Sequence, residues 1–297
     1  MPTTDRSFAA KTKSELCRKP PSRDCCATAE LYGALLMANT FTPSSLRLTS
    51  ENERFRDRLI DLMRRSVGVE AETRRLTSGK LLITAEGQLA EKIFCAFGYE
   101  PKAGALHLNN ALVEDDCCRE AFFRGAFLAG GSVSDPERGY HLELSTRHFS
   151  LSREMTALLL DMDFEPKTTL RKSNYLIYFK ESESVAAFLA KIGAPTAALA
   201  IHEAVVEKEI RNDVNRRVNC DTANISRTVS AARRQLDAIQ KLRDSGAYRE
   251  LSPELKRAAE LRLAYPVESL SALAETGGVS RSGLNHRLNR LCELAGL

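Results

Sequence analysis

The chain has 297 residues, 43% hydrophobic and 28% charged, with 43 Lys plus Arg against 39 Asp plus Glu and a formal charge of +4. At about 150 residues per domain this length predicts two domains with real cores, and it excludes wholesale disorder, a collagen-like fibre and a mini-protein scaffold. No run approaches the roughly 18 consecutive apolar residues of a membrane span, and the opening residues lack a signal peptide's apolar stretch, so a cytoplasmic protein is expected.

Residues 1–26 carry Pro20-Pro21 and few large apolar groups, which predicts a flexible tail. From Ala27, apolar residues recur at helical spacing through Leu31, Ala34, Leu35 and Ala38. Thr40 to Thr49 alternates loosely around Phe41, Leu46 and Leu48, as an extended segment entered through Pro43. A second helix is expected from Glu51 to Val67, with Phe55, Leu59, Leu62 and Met63 on one face. Strands at Glu70–Leu76 and Lys80–Thr84 flank Thr77-Ser78-Gly79, a hairpin signal, and a helix through Leu89, Ile93, Phe94 and Phe97 ends at Gly98.

The next hundred residues repeat this order. Glu114–Ala129 reads as helix, Tyr140–Ser145 as strand and Leu151–Met162 as helix. Thr168–Lys172 and Tyr175–Phe179 flank a turn at Ser173-Asn174, and Val185–Ile192 closes with a helix before Gly193-Ala194-Pro195. Gly33 lies 92 residues before Gly125, and Ser78 lies 95 before Ser173. A duplicated αββαββα unit is the economical explanation. The expected organisation is an α+β chain: tail 1–26, lobe 1 at 27–112, lobe 2 at 113–196, a helical linker at 197–220 and an all-α domain at 221–297.

Residues 197–245 read as polar helix. Between Arg216 and Arg243 stand seven basic residues (Arg216, Arg217, Arg227, Arg233, Arg234, Lys241, Arg243) and two acidic ones (Asp221, Asp237), a local +5 that exceeds the net charge of +4, the rest of the chain nearly cancelling. Such a helix is either a solvated face or a contact for phosphates. The last thirty residues are more specific. Leu270, Leu273 and Ala274 form a short helix, Gly277-Gly278-Val279 a sharp turn, and Ser280 caps a helix through Leu284, Leu288 and Leu291. This is the helix-turn-helix layout, whose second helix enters the major groove. Its exposed positions hold Arg281, Ser282, Asn285, His286, Arg287, Asn289 and Arg290, side-chain types that contact base edges and phosphates.

Eight cysteines complete the inventory. The only close pairs are Cys25-Cys26 and Cys117-Cys118. Adjacent side chains diverge, so reduced, small hydrophobes are expected and no metal site. No phosphate-cradling glycine loop and no zinc-hydrolase motif occur, so no cofactor is expected.

The helices Glu30–Asn39 and Phe123–Ser132 resemble the LAGLIDADG motif of homing endonucleases, a tight interface between two αββαββα lobes. On that likeness Gly33, Ala34, Gly125, Ala126 and Ala129 would form the interlobe contact. The stretches Val218–Val229, Ala231–Gln235 and Ser280–Leu288 resemble the WhiA family, bacterial DNA-binding regulators of sporulation and cell division that join a LAGLIDADG-like domain to a helix-turn-helix. This resemblance spans about residues 27 to 297.

It implies a transcriptional regulator for cell division, chromosome segregation or sporulation, located at the nucleoid and bound to promoter DNA. Arg281, Ser282, Asn285, His286, Arg287 and Arg290 would read the site, and Arg227, Arg233 and Arg234 would hold phosphates. A WhiB-type iron–sulfur regulator or RNA polymerase would be a protein partner. Homing endonucleases end each motif helix with a metal-binding acid. Aligned on the glycines, those positions here hold Ala38 and Gly130, and the nearby Asp135 has no partner, so no enzyme is expected. Two alternatives stand beside this reading: an interaction scaffold tethered to DNA, and a metal-dependent nuclease.

Overall fold

The computed structural model describes residues 7–102 and 106–297, and the chain divides into two units between Glu207 and Lys208. The first unit opens with α1 (Phe8–Leu16), followed by α2 (Asp24–Leu36), β1 (Thr40–Phe41), β2 (Ser45–Ser50), α3 (Glu53–Val67), β3 (Glu72–Arg75), β4 (Leu81–Glu86) and α4 (Gln88–Ala96). The order then recurs as α5 (Asp116–Gly130), β5 (Gly131–Val133), β6 (Leu142–Thr146), α6 (Phe149–Leu160), β7 (Lys167–Arg171), β8 (Asn174–Phe179) and α7 (Ser182–Ile192). Each half builds an antiparallel four-stranded sheet, in the orders β1-β2-β4-β3 and β5-β6-β8-β7. The duplicated αββαββα unit is therefore present, residue pattern and topology together.

Local chemistry explains most element ends. Asn52 Oδ1 accepts the N–H groups of Arg54 and Phe55 to start α3, and Gly68, at φ +64°, stops it in the left-handed conformation. Gly79 takes φ +82° in the β3–β4 turn. The β7–β8 turn is centred on Lys172 and Ser173, both at positive φ, one residue earlier than the sequence suggests. The single extended segment expected at residues 40–49 is instead the hairpin β1–β2. Pro43 lies in its loop, where Thr42 donates its N–H to the Ser45 carbonyl at 2.9 Å.

Residues 7–26 are not a flexible tail; residues 1–6 of that predicted tail lie outside the described residues. Ser7 caps α1 by accepting the Ala10 N–H at 3.3 Å, and Leu16 is fully buried. Glu15 turns its carboxylate onto α8 (Pro195–Asp244), accepting the N–H groups of Thr196 at 2.7 Å and Ala197 at 3.1 Å. It thereby satisfies donors that a helix N-terminus leaves without partners. The helix escapes composition-based detection because its buried face includes Thr12 and Ser14. Thr12 satisfies its hydroxyl locally on the Phe8 carbonyl at 2.9 Å.

The first unit's core runs through α2 and α5, with Tyr32, Phe122, Phe123, Phe127 and Phe188 all at zero exposure. Beside the apolar groups lies a buried ionic cluster. Glu30 of α2, 1% exposed, receives Arg58 Nη2 at 2.8 Å and Arg124 Nη1 at 3.0 Å, and also Arg58 Nε. The Arg58 guanidinium also donates to the Cys17 carbonyl at 3.2 Å, and Arg124 to the Ile192 carbonyl at 2.7 Å. Glu30 thus joins both halves of the unit through two guanidiniums.

The second unit takes the C-terminal part of α8 and adds α9 (Pro253–Ala264), α10 (Leu270–Thr276) and α11 (Arg281–Leu294). Its core packs Ala238, Ile239 and Leu242 with Ala258, Leu273, Leu284, Leu288 and Leu291. Arg262 of α9 is buried among these helices. It donates to Gln235 Oε1 at 2.9 Å and to the Glu268 carbonyl at 2.8 Å, tying α8 to the segment that leads into α10.

Candidate nucleic-acid interface

The α10–α11 turn is specified by backbone conformation: Gly278 sits at φ +62°, and a Cβ on Gly277 would meet the movable end of Leu261, Cδ2, at 2.7 Å. Ser280 Oγ then accepts the Gly283 N–H at 3.1 Å and starts α11. Leu284, Leu288 and Leu291 turn inward at spacings of four and three, so the opposite face is committed to solvent. Arg281, Ser282, Asn285, His286, Asn289 and Arg290 are all exposed there. Arg287 is the exception, half-buried, with its guanidinium 3.5 Å from Glu254 of α9. Arg290 pairs with Glu293 at 2.8 Å, one turn along the same helix. Fourteen residues make a helix of about 21 Å, enough to lie in a major groove about 12 Å wide.

Arg227, Arg233 and Arg234 project from α8, all exposed. None of the three has a carboxylate within ion-pairing distance among the described residues, and Arg227 donates to the Asn224 amide oxygen at 3.4 Å. Their charge is therefore free to meet an anion, unlike Arg217, which is matched by Asp213 at 2.9 Å. The buried face of this segment, Ala232, Gln235, Ala238, Ile239 and Leu242, holds the helix against the second unit's core. The basic residues and α11 thus belong to one folded unit.

In the first unit α2 and α5 meet at the predicted small residues. A Cβ on Gly33 would lie 2.0 Å from the Phe122 carbonyl oxygen and 3.1 Å from the Ala126 nitrogen. One on Gly125 would lie 1.9 Å from the Glu30 carbonyl oxygen and 3.0 Å from the Ala34 nitrogen. Gly33, Ala34, Gly125 and Ala126 therefore form a close backbone contact between the halves, with hydrogen in place of a methyl at both glycines. Ala129 lies at the far end, half-buried.

At that far end, where nuclease acids would stand, a cavity of about 240 Å³ is lined by Met37, Ala38, Asn39, Gly130, Arg147 and His148 among others. No carboxylate is among its lining residues. Burial and the neighbouring Arg147 hold His148 below its ordinary pKa. Asp135 is exposed and used locally, its side chain accepting the Glu137 N–H at 3.0 Å.

At the opposite ends of α2 and α5 the cysteines, expected to be separate small hydrophobes, are brought together. Cys25, Cys26, Cys117 and Cys118 have Sγ atoms all within 4.8 Å of one another. Adjacent residues on one helix do diverge, but two helix starts held together by the glycine contact bring both pairs to one point. Burial, then hydrogen bonding with Cys117, pushes the Cys26 thiol up to about 11, and burial also raises Cys118. Cys25, which is exposed, is lowered by its hydrogen bond with Cys118.

Residues 214–295 match the family model described as the WhiA C-terminal HTH domain, and residues 119–211 match that of the WhiA LAGLIDADG-like domain. A probable cell division protein WhiA from Alkaliphilus metalliredigens is 34% identical over 308 residues, covering 97% of each chain. Its namesake from Desulforamulus reducens is 36% identical, covering 97% of this chain and 95% of that one. The crystal structure of full-length WhiA from Thermotoga maritima covers 98% of both chains with a TM-score of 0.61 at 24% identity, a likeness of fold. No helix among the described residues is long and apolar enough to cross a membrane.

Proposed function

Since this chain belongs to the WhiA family, we propose that it is a sequence-specific transcriptional regulator that binds double-stranded promoter DNA at the nucleoid and serves cell division, chromosome segregation or sporulation. The observation that carries this reading is the solvent face of α11, where Arg281, Asn285 and His286 stand clear of the core on a capped helix behind a glycine turn. Arg and Asn there can make two-pronged contacts to guanine and adenine edges. Arg227, Arg233 and Arg234 supply unneutralised charge for the phosphates, which fix position without reading sequence. Arg287 is oriented by Glu254 and works from the edge of this face. The relatives' description as cell division proteins supports the process named.

The first unit acts in this reading as a scaffold without catalysis. The cavity between the ends of α2 and α5 offers no carboxylate pair to hold the divalent ions of phosphodiester hydrolysis. Incubating supercoiled plasmid with the protein and Mg²⁺ or Mn²⁺ should leave it intact, and metal-dependent nicking would refute the scaffold reading.

The DNA assignment is tested by immunoprecipitating the protein from cells, sequencing the bound DNA and measuring binding to the site found. Asn285→Ala should cost about 1–3 kcal/mol on the cognate duplex and little on random DNA. Arg233→Ala should weaken binding to every duplex and lower the slope of log K against log salt by about one. Equal losses for both variants on cognate and random DNA would refute these roles.

A further inference from the structure

The geometry points to a structural metal site: Cys25, Cys26, Cys117 and Cys118 together bind one zinc ion as four thiolates, joining the start of α2 to the start of α5.

The placement is systematic. Cys25 and Cys117 are 92 residues apart, as are Cys26 and Cys118 and the contact glycines Gly33 and Gly125. The four sulfurs are therefore two equivalent pairs brought together by the same pseudo-symmetry that seats the glycines. Their mutual separations, all within 4.8 Å, approach the S···S edge of about 3.8 Å that a 2.3 Å zinc–sulfur bond sets in a tetrahedron. The difference to close is at most about 1 Å per sulfur pair. Disulfides need sulfurs about 2.05 Å apart in only two pairs, whereas here all four converge. An iron–sulfur cluster would hold its cysteine sulfurs farther apart than a single ion does.

The donor set selects the ion. Four sulfurs and no oxygen or imidazole ligand suit a borderline-soft cation such as Zn²⁺ and exclude Mg²⁺ and Ca²⁺. This site is thus unrelated to nuclease metals, and it lies at the other end of the helices. Neither helix start is capped by a side chain, Arg23 and Asp115 making no capping hydrogen bond. Backbone N–H groups and the positive ends of both helices are available to stabilise thiolates. Cys26 and Cys118 are buried, and Cys25 reaches solvent, so the ion has a way in. Binding is a ligand exchange without electron transfer: one Zn²⁺ enters, its waters leave, and the four thiols together release up to four protons.

The test uses the full chain purified under reducing conditions. Elemental analysis should find about one zinc per chain, and Co²⁺ in its place should give the visible absorption of tetrahedral cobalt thiolate. A mercurial reagent that caps the thiols should release that zinc. Cys95 and Cys220, both exposed, serve as controls: C95S with C220S should keep the metal. C26S should weaken zinc binding by about ten-fold or more, the loss expected at least for disturbing a ligand shell. Should C26S not fold, chelation of the wild type decides the matter: the thermal midpoint must fall on removing zinc and return with zinc but not with magnesium. Reduced, folded wild-type protein that neither carries zinc nor takes up Co²⁺ would overturn the proposal. So would iron in zinc's place, or disulfides among these four cysteines in protein isolated from the cytoplasm. None of these readouts depends on DNA binding.

Discussion

Replacing Glu30 with alanine should destabilise the first unit by about 3 kcal/mol, the lower part of the 3–5 kcal/mol expected when one partner of a buried ion pair is removed. The structure sets this figure. Arg58 and Arg124 would each lose the carboxylate while their side chains remain only 9% and 4% exposed. Each keeps one carbonyl acceptor, Cys17 for Arg58 and Ile192 for Arg124, which offsets part of the loss. For about 200 residues such a change lowers the melting temperature by roughly 6–12 °C. The chain has no Trp, so calorimetry or far-ultraviolet circular dichroism is the suitable assay. The melting of the second unit serves as an internal reference. Glu30→Leu combined with Arg58→Met and Arg124→Met should recover most of the loss, because it removes the unpaired charges and not only the carboxylate. A Glu30→Ala protein within about 1 kcal/mol of wild type, or a triple variant no better than the single one, would refute the reasoning.

Gly33→Ala must push the α2 and α5 backbones apart, since its methyl would sit 2.0 Å from a carbonyl oxygen. Overpacking of this kind costs about 1–3 kcal/mol or more and should show as a lowered urea midpoint. Lys13, held by burial at about pKa 8 against its ordinary 10.5, binds fewer protons folded than unfolded across that interval. Its cost is therefore fully present below pH 8 and fades as pH rises toward 10.5. Lys13→Met should accordingly raise stability near neutral pH, with the gain over wild type shrinking above pH 8 in pH-dependent melts. On DNA, Arg281→Ala should reduce cognate binding by about 1–3 kcal/mol, measured by fluorescence anisotropy with cognate and random duplexes.

Much of this architecture is legible from residue pattern because its signals are local. The α3 stripe, the Ser280 cap and the Gly277-Gly278 turn each lie within a few residues of what they determine. The small residues Gly33 and Gly125 are legible as close-contact positions once the repeat aligns them. What stays hidden is what needs a distant partner. Short β5 has three residues, too few to show a periodicity; it exists because β6 pairs with it. Glu30, Arg58 and Arg124 look like ordinary surface charges until the halves close around them. Arg262 likewise reads as solvent-facing on α9, yet Gln235, 27 positions earlier, is its partner. The cysteine pairs mislead for the same reason, since each is uninformative alone and meaningful only against its counterpart 92 residues away.

Gly33 faces the carbonyl of Phe122, three residues before Gly125, and Gly125 faces that of Glu30, three residues before Gly33. Each half therefore carries both a socket and the backbone oxygen that fills a socket, at the same offset. A contact of that kind is self-complementary, the arrangement that two-fold homodimers use. The segment between the halves adds contacts of its own, with Leu108 buried and the Asn109 N–H donating to Tyr32 Oη at 2.7 Å, but the glycine sockets themselves belong to the halves. Residues 1–112 and 113–297 produced as separate polypeptides should find one another unaided, and a bulky residue placed in one socket alone has no compensating change available within its own half.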